Sequence, residues 1–225
     1  MLRAAYQREL QRLQDELILL SSMVAHTLRQ SMTALRRRDR SLAESLIERD
    51  REINARRYQI EQDSLVLIAT QQPVARDLRF LAGVIEIAGE LERIGDYAKG
   101  IGRIVLRLPP GEPDFSIHEI PRMCDKVLVM LERAQQAYLA QDIVAARAIP
   151  ADDDVVDALY NAMNARLLDW MRVSPIAVEE ANLLLWAAHN IERAGDRVTN
   201  ICERTIYTVT GDLIELDMQQ PTPQP

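Results

Sequence analysis

The sequence predicts an all-α protein made of two tandem three-helix bundles, and three observations carry that prediction. Glycine is scarce, with 8 in 225 residues, too few for the tight turns of an all-β chain. Apolar residues recur at helical spacing: Leu10, Leu13, Leu17, Leu20 and Val24 step by three and four into one stripe. A segment late in the first half also reappears in the second. Glu90-Leu91-Glu92-Arg93-Ile94-Gly95-Asp96 parallels Asn190-Ile191-Glu192-Arg193-Ala194-Gly195-Asp196 at an offset of 100 residues.

The prolines punctuate the chain at Pro73, at Pro109, Pro110 and Pro113, and at Pro175. The leucine stripe forms the first helix. The second is predicted from Ser41, whose hydroxyl caps while Glu44 completes a capping box, and ends before Pro73. The third runs to about Leu108. Beyond a linker at 109–115, Ser116 and Glu119 form another capping box and open the fourth helix. The fifth covers roughly Asp142 to Val173, with Pro150 kinking or interrupting it. Ser174 and Pro175 read as N-cap and N1 of the sixth, Glu179 and Glu180 suit its dipole, and Gly211 supplies the left-handed turn at its end. The units are thus 1–108 and 116–211, followed by a flexible tail at 212–225. Pro73 pairs with Pro175, and residues 50–54 pair with 153–157. Chance similarity between leucine-rich helices would not reproduce both the motif and the breaks, so duplication is the simplest architecture.

Composition narrows the function. A net charge of −7 argues against a nucleic-acid partner, because phosphates are neutralised by surplus Lys and Arg. Cys124 and Cys202 lie far apart and in no CxxC pattern, which suits a reducing compartment. The N-terminal residues lack the apolar core of a signal peptide, and no apolar stretch approaches the ~18 residues that cross a bilayer. A cytoplasmic protein is expected, reaching membranes only through partners. Aromatics are 4 %, so aliphatic residues fill the interior, with Trp170 and Trp186 as core anchors.

The chemistry sits in the repeated motif. Glu92 and Asp96 are four apart and share a helix face, as do Glu192 and Asp196. Like charges so placed repel, which asks for a cation or a basic neighbour. Arg93 and Arg193 lie about 100° round the helix and are poorly placed to bridge their own pairs. Asp153 and Asp157 repeat the spacing on the fifth helix, and Asp50 and Asn54 echo it on the second. With antiparallel neighbours, two such pairs converge in each half, an oxygen-rich setting for Fe, Mn, Mg or Ca more than Zn. Gly95 and Gly195 lie between the paired acids and admit a close neighbour. A single acidic pair is usually a solvated face; its repetition in register weighs against that. His189 shares the face of Glu192 and Asp196, but its counterpart is Gly89, so it reads as a structural or surface histidine. No Glu-x-x-His, phosphate loop, dinucleotide fingerprint or HExxH occurs. The glycines at 83, 89, 95, 100 and 102 read as close-packing positions.

At these residues the sequence resembles the PhoU family, bacterial regulators of phosphate uptake and of the phosphate-starvation response. The matching segments are Arg76-Asp77-Leu78-Arg79, Glu92-Arg93-Ile94-Gly95-Asp96 with Ile101, Asn190 through Asp196 with Thr199, Asn200 and Ile201, and the closing Ile206, Tyr207, Val209, Thr210 and Gly211. The resemblance implies two three-helix bundles and, in some members, multinuclear iron or zinc clusters on the E/D-x-x-x-D carboxylates. The residues carried over are Glu92, Asp96, Glu192 and Asp196, joined by Asp50, Asp153 and Asp157; other divalent cations are also admissible. The resemblance further implies a non-enzymatic brake, a homodimer that couples the phosphate ABC transporter and its ATPase to a sensor histidine kinase. Val178 and Ala181 stand where the first repeat has Arg76 and Arg79, and Asn54 stands against Asp157, so unequal metal binding by the halves is expected. A metal-dependent hydrolase on the same carboxylates and a passive scaffold are the alternatives.

Overall fold

In the computed structural model of the chain, which describes residues 2–111 and 115–216, the leucine stripe turns inward as its spacing dictates. Leu13, Leu17, Leu20, Val24 and Leu28 of helix α1 (Leu2–Arg37) are all buried. Each such side chain contributes roughly 1.5–3 kcal/mol by leaving water. Helices α2 (Arg40–Gln71) and α3 (Arg76–Arg107) complete the first bundle. The second consists of α4 (Glu119–Ala140), a long element broken into α5 (Ile143–Ala148) and α6 (Asp153–Val173), and α7 (Val178–Thr210). No strand occurs among the described residues, and no helix there is long and apolar enough to cross a membrane.

The turns reveal the duplication in backbone detail. Arg38 ends the first helix of its bundle at φ 49°, and Asp39 then caps α2 by accepting from the Leu42 amide at 3.0 Å. Gln141 does the same at φ 54°, and Asp142 accepts from the Ala145 amide at 3.0 Å to cap α5. Three caps differ from the sequence expectation, the third being Ser174 before the last helix. Asp39 replaces Ser41, because an aspartate directly after the left-handed residue meets the first free amides two positions earlier. At the fourth helix there is no capping box. Ser116 Oγ lies 3.1 Å from His118 Nδ1, and the buried Glu119 carboxylate instead receives Arg166 of α6.

Pro150 interrupts the fifth element as expected, leaving a 3-10 turn at Pro150–Asp152 before α6. Pro175 likewise opens a 3-10 turn, Pro175–Ala177, rather than α7 itself, and Ser174 offers its carbonyl, not its hydroxyl, to Ala177. Gly211 ends α7 at φ 86°, with its amide donating to the Tyr207 carbonyl. Beyond it Ile214 and Leu216 pack back on the core, and the Leu216 amide donates to Glu203. The rest of the tail, 217–225, and Pro113 lie outside the described residues.

The bundles join through their third helices, which run antiparallel. Glu90 on α3 meets Arg197 and Asn200 on α7, while Asn190 on α7 lies over Gly100. That reciprocal exchange is the mark of a two-fold relation between the repeats. Arg204 with Glu86 at 2.8 Å extends the seam. At one end Arg38 reaches across to the half-buried Glu180 and donates to the Pro109 carbonyl at 2.6 Å, tying the first bundle to the start of α7. Close packing accounts for Gly95 against Ile53 and Gly102 against the Ala43 carbonyl, but Gly89 faces open space.

Candidate functional site

Because α2 and α3 run antiparallel, Asp50 comes level with Asp96 and Lys99, and Ile53 level with Gly95. The first cluster is Asp50, Glu92 and Asp96, and it contains its own cation. Lys99 donates to Asp50 Oδ2 at 2.8 Å and to the Asp96 carboxylate. Asn54 donates to the same Asp50 oxygen at 3.0 Å. Asp50 is buried, at 6 % exposure, so the ammonium compensates a charge that water does not reach. Burial disfavours the Lys99 ammonium, but its hydrogen bonds to Asp50 and Asp96 outweigh that and raise its pKa. Burial, then the Asp96 charge, raise Glu92, opposed by Arg57 and Lys99.

The second cluster repeats the frame with other chemistry. Asp153 and Asp157 on α6 face Glu192 and Asp196 on α7, and the Asp153 carboxylate lies directly over Gly195, where any Cβ would collide with it. Glu192 is pushed up to about 7 by burial and then by the charges of Asp196 and Asp157. His189 Nδ1 is 3.3 Å from Glu192 and its ring meets the edge of Trp186 at 5.6 Å. Arg193 contacts Asp196 at 3.6 Å, closer to its own pair than the helical angle suggests, and also donates to the Tyr97 hydroxyl on α3. At the position of Lys99 the second half has Thr199, wholly buried, whose hydroxyl finds no hydrogen-bond partner. Other buried helix threonines, Thr27, Thr205 and Thr208, return theirs to backbone carbonyls.

All seven predicted carboxylates thus fall into two groups, one per half. Among the described residues no three His, Cys, Asp or Glu side chains converge as a finished ligand set. Glu192, Asp196, Asp153 and Asp157 nonetheless offer the oxygen donors that a hard or borderline cation requires, with Arg193 and Arg197 acting on the same acids; in the first group Lys99 pairs with Asp50 and Asp96. Sequence reasoning missed Lys99 and Arg57 in the first cluster and, in the second, Tyr160, whose ring lies 6.2 Å from that of His189; it named Thr199 only among the residues of the family resemblance. Lys99 was detectable, since it follows Asp96 by three residues and Glu92 by seven and so shares their face. Trp170 is an anchor, stacked on Phe115 at 4.8 Å, but Trp186 is 55 % exposed and is not. Its position on α7 beside His189 puts it outside the core.

Fold and site together define a class of two-repeat helical proteins that carry E-x-x-x-D on the third helix of each bundle. The chain belongs to the PhoU family: the PhoU domain matches residues 17–105 and again 120–205. The Phosphate-specific transport system accessory protein PhoU homolog of Clostridium acetobutylicum is 34 % identical over 96 % of this chain and 100 % of its own length. The protein of the same description from Caulobacter vibrioides is 34 % identical, covering 96 % and 94 %. In three dimensions the chain resembles the crystal structure of the phosphate transport system regulatory protein PhoU from Streptococcus pneumoniae, with a TM-score of 0.87, 28 % identity and coverage of 93 % and 99 %. PhoU from Pseudomonas aeruginosa gives a TM-score of 0.86 at 29 % identity, with coverage of 92 % and 100 %.

Proposed function

We propose that this chain is a regulator of phosphate uptake that couples a phosphate ABC transporter, through its ATPase, to a sensor histidine kinase. In this reading it holds the phosphate-starvation genes off when phosphate is plentiful. It acts by binding, in the cytoplasm and as a homodimer, and reaches the membrane only through its partners. The observation that carries the reading is full-length likeness: both repeats match, and relatives that the chain spans end to end are accessory proteins of phosphate-specific transport. The physical requirement is differential affinity, since the protein shifts the kinase only if it binds the kinase's two states unequally. Glu192, Asp196, Asp153 and Asp157 would hold a divalent cation such as iron, zinc or manganese, and a bound cation would remove the mutual repulsion between α6 and α7 at this end of the bundle.

A deletion strain grown in high phosphate, with an alkaline-phosphatase or transporter reporter, tests the regulatory reading. Derepression is expected. Repression left intact, in a genome without a second copy, would defeat it. Sedimentation of the purified protein at the mass of two chains, and metal retained after purification without chelator or affinity tag, are the companion expectations.

A further inference from the structure

We infer that the arginine-rich turn between α1 and α2 forms a docking groove for an acidic peptide segment of a partner protein, on a surface separate from both carboxylate clusters. Arg36, Arg37, Arg38 and Arg40 fall within one short run of a chain whose net charge is −7. Together with Val105, Leu108 and Pro109 they line a groove of about 480 Å³. Its floor is apolar, since Val105 and Leu108 are buried, and its walls carry the charge. Arg38 is already engaged, donating to Glu180 and to the Pro109 carbonyl. Arg36, Arg37 and Arg40 are exposed and form no ion pair among the described residues; Arg40 gives one hydrogen bond, to the Leu106 carbonyl at 2.7 Å.

Among the described residues no acid lines this groove. Asp39 caps α2 and Glu180 holds Arg38. Glu44, one turn on from Arg40, is exposed and stands outside the lining, and Arg107 lies on the far side of Pro109 beside Glu179 and Glu180. Glu112 and Asp114 lie outside the described residues.

The fold itself does not call for these arginines. Arg36 and Arg37 suit the C-terminal end of the α1 dipole, yet α4 ends in the same left-handed turn with no basic residue in its last turn. The matching positions there are Leu139, Ala140, Gln141 and Ile143, and Asp142 still caps the next helix. Guanidinium groups take carboxylates in paired hydrogen bonds, and arginine beside apolar ground is typical of protein interfaces. A concave groove accepts a peptide with Asp or Glu around an apolar anchor. A flat anionic membrane would instead bring the exposed Glu44 and Glu179 against charge of their own sign.

The test is fluorescence polarisation of the full-length protein with a short labelled peptide of glutamates flanking a leucine, and with glutamines in their place as control. The acidic peptide should bind, more weakly as salt rises, and the control should not. R36Q/R37Q/R40Q should weaken binding about tenfold or more. R8Q/R51Q/R147Q removes the same charge from exposed arginines elsewhere and should stay within about twofold of wild type. No binding by wild type would overturn the inference, and so would equal losses in the two triple variants, which would put net charge in place of the groove. Sedimentation with phosphatidylglycerol vesicles that depends on Arg36, Arg37 and Arg40 would assign the face to a lipid surface instead. A dimer that falls to the monomer mass in R36Q/R37Q/R40Q would assign it to a second copy. Either result would also overturn the inference. Should the triple variant fail to fold, R36Q/R37Q takes its place with the same expected direction.

Discussion

The α1–α2 turn and the α4–α5 turn are nearly the same object: a left-handed residue, then an aspartate whose carboxylate caps the next helix. The two carboxylate clusters on that shared frame are not the same object. In one a lysine bridges two of its three acids, and in the other three aspartates surround Glu192, whose pKa is raised. The difference teaches that duplication preserved what the backbone needs, the aspartate caps and the glycine at 95 and 195, while charge diverged at positions the backbone does not restrain. A few side chains on a fixed frame are then enough to give two equivalent clusters different electrostatics.

The largest expected effect comes from Lys99→Met. It leaves the buried Asp50 without its ammonium, and breaking a buried pair from one side costs about 3 kcal/mol. Denaturant unfolding of the metal-free protein should show that loss. A change below about 0.5 kcal/mol would mean that water already screens the pair, and the contrast between the halves would weaken.

Next in size is the pH dependence of the second cluster. The folded-state pKa of Glu192, about 7, lies above its ordinary value of 4.5, so the native state binds the proton more tightly than the unfolded chain does. By linkage, its contribution is full below about pH 4.5 and is lost as pH rises through 7. Melting temperatures of metal-free wild type should therefore fall relative to Glu192→Gln between pH 5 and 8. Parallel curves for the two proteins would show that the cluster carries no excess charge.

The smallest effect is expected at Thr199→Val. Removing a buried hydroxyl that has no partner should leave the metal-free protein unchanged or slightly more stable, within about 1 kcal/mol. A clear loss of stability would show that the hydroxyl is engaged after all. Set beside Lys99→Met, this substitution measures the asymmetry at a single equivalent position.

The sequence made the fold legible because its signals are local and repeated. The leucine stripe of α1, the interruption at Pro150 and the Gly211 terminus each follow from one residue type's conformational preference. The seven carboxylates were legible for the same reason, since spacing by four puts them on one face. What stayed hidden depends on contacts between helices. Ser41 looked like a cap because its hydroxyl suits one, but the competing Asp39 is favoured by a turn at Arg38 that no local pattern announces. Glu119 looked like the partner of Ser116, yet Arg166, forty-seven residues away, claims it. The neutralising role of Lys99 required knowing that Asp50 arrives beside it from another helix.

The most direct measurement is anomalous diffraction from crystals of the full chain soaked in Mn²⁺ or Zn²⁺. The account predicts a peak among Asp153, Asp157, Glu192 and Asp196. No peak among those four acids would contradict it.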